Sequence, residues 1–599
     1  MALHDIKISP GVFSDNTDRD ISRLGFWKSA DKVRFFSGQP TKIGGWNRGA
    51  ADPQFLGYAR GSVDWRTTRS ELLLGVGTHL KLYVWSGGTY SDITPLRLSG
   101  TLADPFSTTD TSPIVSVAHV AHGLAVGDYV IFSGAAAVGG VTVLGTYTVT
   151  AITTASIYTI THTSNATSTA GPGGGAAVAY DYEIPVGSVD AVEGLGWGTG
   201  AWGVSTWGTA RTVAAALSTL RTWQMDRWGE DIVCCPRGGG LYVFDSSLGL
   251  TTRATIISNA PITAKGVLVS PEDRHLIALG AHDGTSSDPL RVSWCSSEDY
   301  TDWTPSLTNT AGSKRLDLGS EIICGERVRG EHLIFTDSSI VSMTFVGPPD
   351  TFSFRTLGDN GNLAGPMAVH VFEGVAYWMG DQDFFMYDGV TKVVPCTLRM
   401  AVFDDLNRNQ KHKVHCGVNR DYREVWWLYP SASSDECDRY AIYDMTQKSW
   451  TSGTLSRTML VGDSDVFNYS YGFSGDGYIY EHETGTDDYL TAMDAYIESG
   501  DIELSVEQDT SGNAMAHMGK MIPDFRVLAG SVNVTVSGKR YPQDAESQTS
   551  GPHNITATTK FINPRMRARQ ISIRLDSTGL GDDWRAGTLR VDLMPHGGR

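Results

Sequence analysis

Phe385-Met-Tyr-Asp-Gly389 is a short apolar strand that closes on an aromatic residue, an acid and a glycine turn. Related strands, most ending on an aromatic residue and an acid, occur at Leu241-Tyr-Val-Phe-Asp245, Val292-Ser-Trp-Cys-Ser296, Leu333-Ile-Phe-Thr-Asp337, Ala441-Ile-Tyr-Asp-Met445 and Gly477-Tyr-Ile-Tyr-Glu481. With Tyr242, Trp294, Phe335, Tyr387, Tyr443 and Tyr480 as markers, the steps are 52, 41, 52, 56 and 37 residues. Four short strands and their turns occupy about 40–50 residues, the length of a propeller blade. Five or six such units fit between about 220 and 485. The hairpin Glu71-Leu-Leu-Leu-Gly-Val76 and Leu80-Lys-Leu-Tyr-Val-Trp85, turned at Gly77-Thr-His79, supplies another.

Composition agrees with many short strands and tight turns. The 599 residues include 67 glycines, 16 tryptophans and 23 tyrosines, and only 19% are charged. A net charge of −18 argues against a dedicated nucleic-acid binder, which carries a basic footprint. No apolar run is long enough to span a bilayer as a helix, and the start, Met1-Ala-Leu-His-Asp-Ile-Lys7, does not read as a signal peptide. Seven cysteines without framework spacing predict reduced thiols made in a reducing cytosol.

Texture divides the chain. Residues 1–50 read as an extended N-terminal arm that alternates aromatic, basic and glycine residues. It either packs on the first sheet or docks on another subunit. Residues 51–100 hold the first propeller strands. Residues 101–185 contain no Lys or Arg and predict a small inserted β-barrel ending at Gly171-Pro-Gly-Gly-Gly175. Residues 186–485 form the propeller body, and 486–599 a C-terminal β-sandwich-like domain. Within the body, Trp197, Trp202 and Trp207 recur every five residues among glycines. The expected fold is all-β: a β-propeller body with an inserted small β-barrel and a C-terminal β-sandwich-like domain.

Catalytic chemistry is sparse. There is no phosphate-binding glycine loop, no Gly-x-Ser-x-Gly, no His-Glu-x-x-His and no Cys-x-x-Cys. His119 and His122 flank a turn without further ligands. His412, His415 and Cys416 fall in a segment read as strand, which places the two histidines on opposite faces. Ser296-Ser-Glu-Asp-Tyr-Thr-Asp-Trp303 has some likeness to the Asp-box turn of sialidase-type propellers but lacks its glycine. Glycoside hydrolysis needs two carboxylates facing one bond, and sequence alone cannot pair Asp299, Asp302, Asp381 and Asp383. No enzyme activity, cofactor or metal is expected.

Residues 331–396 contain Glu331-His-Leu-Ile-Phe-Thr-Asp337, Val346-Gly-Pro-Pro-Asp350, Gly365-Pro-Met-Ala-Val369, Val375-Ala-Tyr-Trp-Met-Gly380 and Val394-Pro-Cys396. In this order they resemble the tail nozzle family of short-tailed bacteriophages, also called tail tubular protein B or packaged-DNA stabilisation protein. Ser9-Pro-Gly-Val-Phe13, Trp27, Val33-Arg-Phe35, Gly44-Gly-Trp46, Pro564-Arg-Met-Arg-Ala-Arg-Gln570 and Asp583-Trp-Arg585 are similar to the same family's ends. The resemblance covers 1–100 and 186–599; the insert is similar to a β-module that recurs in phage structural proteins.

The family implies a virion tail protein made in the host bacterial cytoplasm. It would form a homohexameric ring below the tail adaptor protein, with tail fibres or spikes outside. Double-stranded DNA would pass through its channel without sequence-specific binding, and a gate would hold the packaged genome until ejection. Six copies at −18 carry about −108, and an acidic wall lets phosphates slide without sticking. Trp and Arg are favoured interface anchors, so Trp27, Arg34, Trp46, Arg567, Arg569, Trp584 and Arg585 are the expected assembly contacts. Ordinary core or surface roles are the plain alternative for each. The Trp197–Trp207 segment and the insert are the two expected gates. A receptor-binding or fibre-attachment propeller is the competing function, and a glycoside hydrolase a more distant one.

Overall fold

The computed structural model describes residues 2–49, 52–191, 220–358, 361–464, 466–503, 515–545 and 548–596. The chain is almost entirely β. Among the described residues, the two α-helices, Asp18–Leu24 and Arg399–Asp405, have seven residues each. It divides into two units, residues 55–317 and residues 1–54 with 318–599.

Seven four-stranded antiparallel sheets follow one another along the described chain. Three lie in the 55–317 unit: Ala59–Asp92, Trp223–Ile256 and Gly266–Arg315. Four lie in the other unit. Ile322–Gly358, Val369–Val394 and His415–Thr454 are continuous. The fourth joins Met459–Val461, Tyr471–Phe473 and Ile479–His482 to the N-terminal Trp46–Asn47. Within each unit the first strands of successive sheets lie side by side, the arrangement from which propellers are built.

Burial grades across each sheet. Gly266–Ser270 and His275–Leu279 are buried at every position, while the outer strand Gly312–Arg315 is exposed and carries Lys314 and Arg315. Strands covered on both faces read as unbroken apolar runs. A charged outer strand resists edge-to-edge pairing. Close approach of neighbouring first strands demands glycine: a methyl at Gly417 would collide with the Leu460 carbonyl, and one at Gly61 with that of Trp223. Aromatic rings fill the wedge between sheets; Phe384 lies 4.6 Å from Trp427 and 4.7 Å from Trp450.

The marker residues sit on third strands at Tyr242, Trp294, Tyr387, Tyr443 and Tyr480. Phe335 does not: it is on the second strand, and the third is Ile340–Gly347. Segment 333–337 copies the aromatic-plus-acid ending one strand early.

The insert is an eight-stranded sheet spanning Leu96–Glu183 and wrapped around its own core of Phe106, Val117, Phe132, Val149, Tyr158 and Tyr182. Its two end strands, Leu96–Leu102 and Ala170–Gly173, are not paired with each other.

Residues 1–50 are built into sheets of their own chain. Ala2–Ile6 pairs with Leu589–Leu593, Trp27–Asp31 with Tyr496–Ser499, and Thr41 with Arg585. The N-terminal and C-terminal segments therefore build three sheets together.

Candidate functional site

Arg34 lies on the strand Val33–Phe36, whose first three residues are buried. Its guanidinium donates to both oxygens of Glu424, at 2.9 and 3.1 Å, and to Glu483 at 2.8 Å. The Arg34 and Glu424 side chains are 2% and 3% exposed. Trp426 Nε1 donates to Glu424, Asn419 Nδ2 to Glu483, and Tyr422 stacks 3.6 Å from the guanidinium carbon. Burial opposes the charge on Arg34, but the two carboxylates outweigh it and hold the guanidinium protonated. This knot ties the N-terminal segment to two sheets of its unit.

The other expected contacts divide. Trp46 is 2% exposed and its indole donates to Asp488; Trp584 is fully buried and donates to Ser577 at 3.0 Å. Trp27 is buried in the same core. These three and Arg34 are buried and make their contacts inside the chain. Their role is to lock the terminal segments together. Arg585 is half-buried over Phe36, at 4.4 Å. Arg569 is half-buried over Tyr541, and Arg567 is exposed. Trp197, Trp202 and Trp207 lie outside the described residues.

A second buried cluster anchors the insert. Lys81 Nζ donates to both oxygens of Glu183, at 2.7 and 2.6 Å, and to Asp92 at 3.0 Å. Arg253 lies 3.1 Å from Glu183 and donates to the Thr94 carbonyl at 2.7 Å. Lys81 and Glu183 side chains are 4% and 1% exposed. Glu183 is the last residue of the insert's final strand, so the cluster clamps the insert's root. Sequence reasoning missed it, because the cations come from outside a segment that has none.

The histidines are structural. His119 bonds the Tyr182 hydroxyl at 2.7 Å, and His122 the Thr154 carbonyl at 3.1 Å. Burial and the neighbouring His122 hold His119 below its ordinary range. His412 is not on a strand: Arg408–Lys413 is a 3-10 helix, and the strand begins at His415. Among the described residues no group of three or more His, Cys, Asp or Glu is placed to hold a metal ion.

The four carboxylates are occupied locally. Asp299 accepts from the backbone and hydroxyl of Thr301, at 2.8 and 2.6 Å, and Asp302 from Asn309 at 2.8 Å. Asp381 pairs with Lys411 at 2.6 Å and Asp383 with Arg399 at 2.5 Å. Segment 296–303 is thus a turn braced by its own acids. Asp273, His275 and Thr310 form a chain of contacts at 2.7 and 2.9 Å. Thr310 Oγ1 also accepts the Ser297 backbone N–H at 2.8 Å, and His275 is wholly buried. That array braces a loop. No described helix is long and apolar enough to cross a membrane.

No protein-family model and no curated protein matches the chain. Solved structures resemble it at low similarity. Kluyvelomyces marxianus Hsv2 is 5% identical over 48% of this chain and 74% of its own, with a TM-score of 0.27. The extracellular domain of the putative hybrid two component system BT3049 from B. thetaiotaomicron is 10% identical over 94% and 90%, at 0.26. The phage phi92 endosialidase is 11% identical over 82% and 70%, at 0.16. Likeness at this level speaks to neither activity nor partners.

Proposed function

We propose that this chain is a structural subunit of the tail of a short-tailed bacteriophage, not an enzyme. It would act as a nozzle subunit that extends the DNA channel, retains the packaged genome and passes it on ejection. The observation that carries the reading is the ordered set of motifs within 331–396. These motifs are framework: Leu333, Ile334 and Phe335 are buried, as are Ala376 to Met379, Phe384 and Tyr387. They fall on two consecutive four-stranded sheets. A resemblance carried by core strands speaks for a shared scaffold.

Two features support the reading. The chain is acidic, and acidic walls do not trap passing phosphates. The terminal segments are cross-paired through three sheets, which suits a part that bears the load of a pressurised genome. Homohexamer formation, the adaptor above and the fibres or spikes outside belong to the same proposal.

Gold-labelled antibody imaging of the virion that packages this chain tests it. Label at the central distal tail is expected. Label at the tail periphery or on the capsid refutes it, and glycan binding and hydrolysis assays then decide between the competing functions.

A further inference from the structure

We propose that the arginine face of the C-terminal strands is a docking surface for residues 101–185 of a second copy of this chain. The inference deepens the assembly part of the reading above and does not depend on where in a virion the chain resides.

The face follows from alternation. On Met566–Ala568 the two methyl-bearing ends, Met566 and Ala568, are buried at 2% and 0%. Arg567 therefore points outward; Arg565 beside it is exposed and Arg569 half-buried. The Arg569 backbone N–H donates to the Lys539 carbonyl at 3.1 Å, which brings Arg540 and Tyr541 alongside. Arg567 lies opposite His517 across the sheet. The face continues to Lys560 and Phe561, because Ile562 pairs with Met521.

These cations are unspent. Among the described residues, Arg540, Lys560, Arg565, Arg567 and Arg569 form no ion pair, whereas the exposed Arg423 and Arg315 pair with Glu373 and Asp288 at 2.7 and 3.0 Å. Acids beside the face are engaged elsewhere or buried: Asp544 accepts the Tyr541 backbone N–H at 3.1 Å, Glu503, paired across the sheet with Gln570, lies 2.8 Å from Arg19, and Asp592, opposite Lys520, is buried. Five unpaired cations on one face of a chain with net charge −18 complement the rest of that chain's own surface. The rings of the face are exposed and each has a cation over it, Arg569 4.9 Å from Tyr541 and Lys520 3.8 Å from Phe561. Arginines beside aromatic rings are the composition of a protein interface.

The insert is the matching surface. Residues 101–185 have no Lys or Arg, and Arg97, on the first strand of the same sheet, donates to the carbonyls of Gly123 and His122 at 2.9 and 3.3 Å. Asp104 and Asp110, both exposed, bracket the strand Phe106–Thr108. That strand pairs with Ile114–Ala118, which in turn pairs with Ile157–Thr161. Ile114 is 49% and Ile157 37% exposed on this sheet. Its outward face carries Ser107, Ser116 and Thr159 between Ile114 and Ile157, and with the two aspartates beside it this surface faces the arginines of the next copy. Donor and acceptor differ, so the contact is head-to-tail and propagates into a ring or a filament.

Sedimentation velocity on the full chain, across a salt series, tests this. Wild type should self-associate, and more weakly as salt rises. Arg565→Glu/Arg567→Glu should weaken association at least tenfold, as should Asp104→Asn/Asp110→Lys. The combined variant should recover most of the loss. Arg565→Gln/Arg567→Gln, with an unchanged circular dichroism spectrum, guards against misfolding. The proposal is overturned if the arginine variants associate like wild type, or if the combination does not recover. It is also overturned if the arginines serve duplex DNA, read as binding lost in the variants while self-association persists. Association through another face would sink this interface yet leave the labelling result on the virion untouched.

Discussion

Replacing Arg34 with methionine keeps most of the side-chain volume and removes the charge that two buried carboxylates share. Breaking a buried pair from one side costs about 3–5 kcal/mol, because the remaining charge is stranded. The unit that holds it, roughly 340 residues, unfolds with an entropy of about 0.7 kcal/mol/K. The melting temperature should therefore fall by about 4–7 °C, read by calorimetry and by the fluorescence of Trp426, whose indole bonds Glu424. The loss should depend on pH. Burial pushes Glu424 up to about 7, against the pull of Arg34. An acid raised in the folded state contributes most below its unfolded value near 4.5, and that contribution is lost as pH rises through about 7. Without Arg34, burial and the neighbouring Glu483 both disfavour the charge and only the Trp426 indole opposes them, so the deficit should be larger near pH 8 than near pH 5.5. Adding Glu424→Gln should recover about 1–2 kcal/mol by removing the stranded charge. A variant within about 1 °C of wild type near pH 8 would refute the reasoning. So would a deficit equal at both pH values and unrelieved by the second substitution.

Other outcomes follow from the same structure. His370 bonds Asp463 at 2.8 Å; burial opposes its charge, but Asp463 prevails and raises it above the ordinary histidine value. Its contribution is present below about pH 6.5 and lost as pH rises through the folded value, so melting temperatures of wild type and His370→Ala should converge at alkaline pH. Glu183→Gln should loosen the insert's root, with protease cleavage near residues 183–191 appearing before global unfolding; unchanged cleavage kinetics would remove the clamp. All seven cysteines are free thiols, and burial pushes Cys235, Cys295 and Cys396 up to about 12. Alkylation at neutral pH should be slow in the native protein and fast in denaturant. Gly417→Ala should destabilise by at least about 1–3 kcal/mol through collision with the Leu460 carbonyl.

The repeating sheets were legible because their inner strands are buried on both faces and end on an aromatic residue at the third strand. The one slip, Phe335, arose where Ile340–Gly347 lacks that ending and its predecessor imitates it. The partners of the N-terminal strands were illegible for a different reason. These strands pair with residues near 496 and 590, and register over such separations leaves no local mark. The burial of Trp46, Trp584 and Arg34 was not legible, because the residue types that anchor interfaces also anchor cores. Arg34 betrays nothing until Glu424 and Glu483 arrive beside it. The alternation at 565–569, by contrast, was written in the sequence, and the structure adds that these cations have no acids of their own.

The pairing of Ala2–Ile6 with Leu589–Leu593 also sets a clock. Ribosomes add about 5–20 residues per second, so the first strand waits roughly half a minute to two minutes for its partner to be synthesised. The 55–317 unit can fold within that interval, while the segment before it stays unpaired. A message cut short anywhere before the final strands yields a polypeptide whose beginning never finds its sheet. Products terminated before Leu589 are left with open strand edges for proteases.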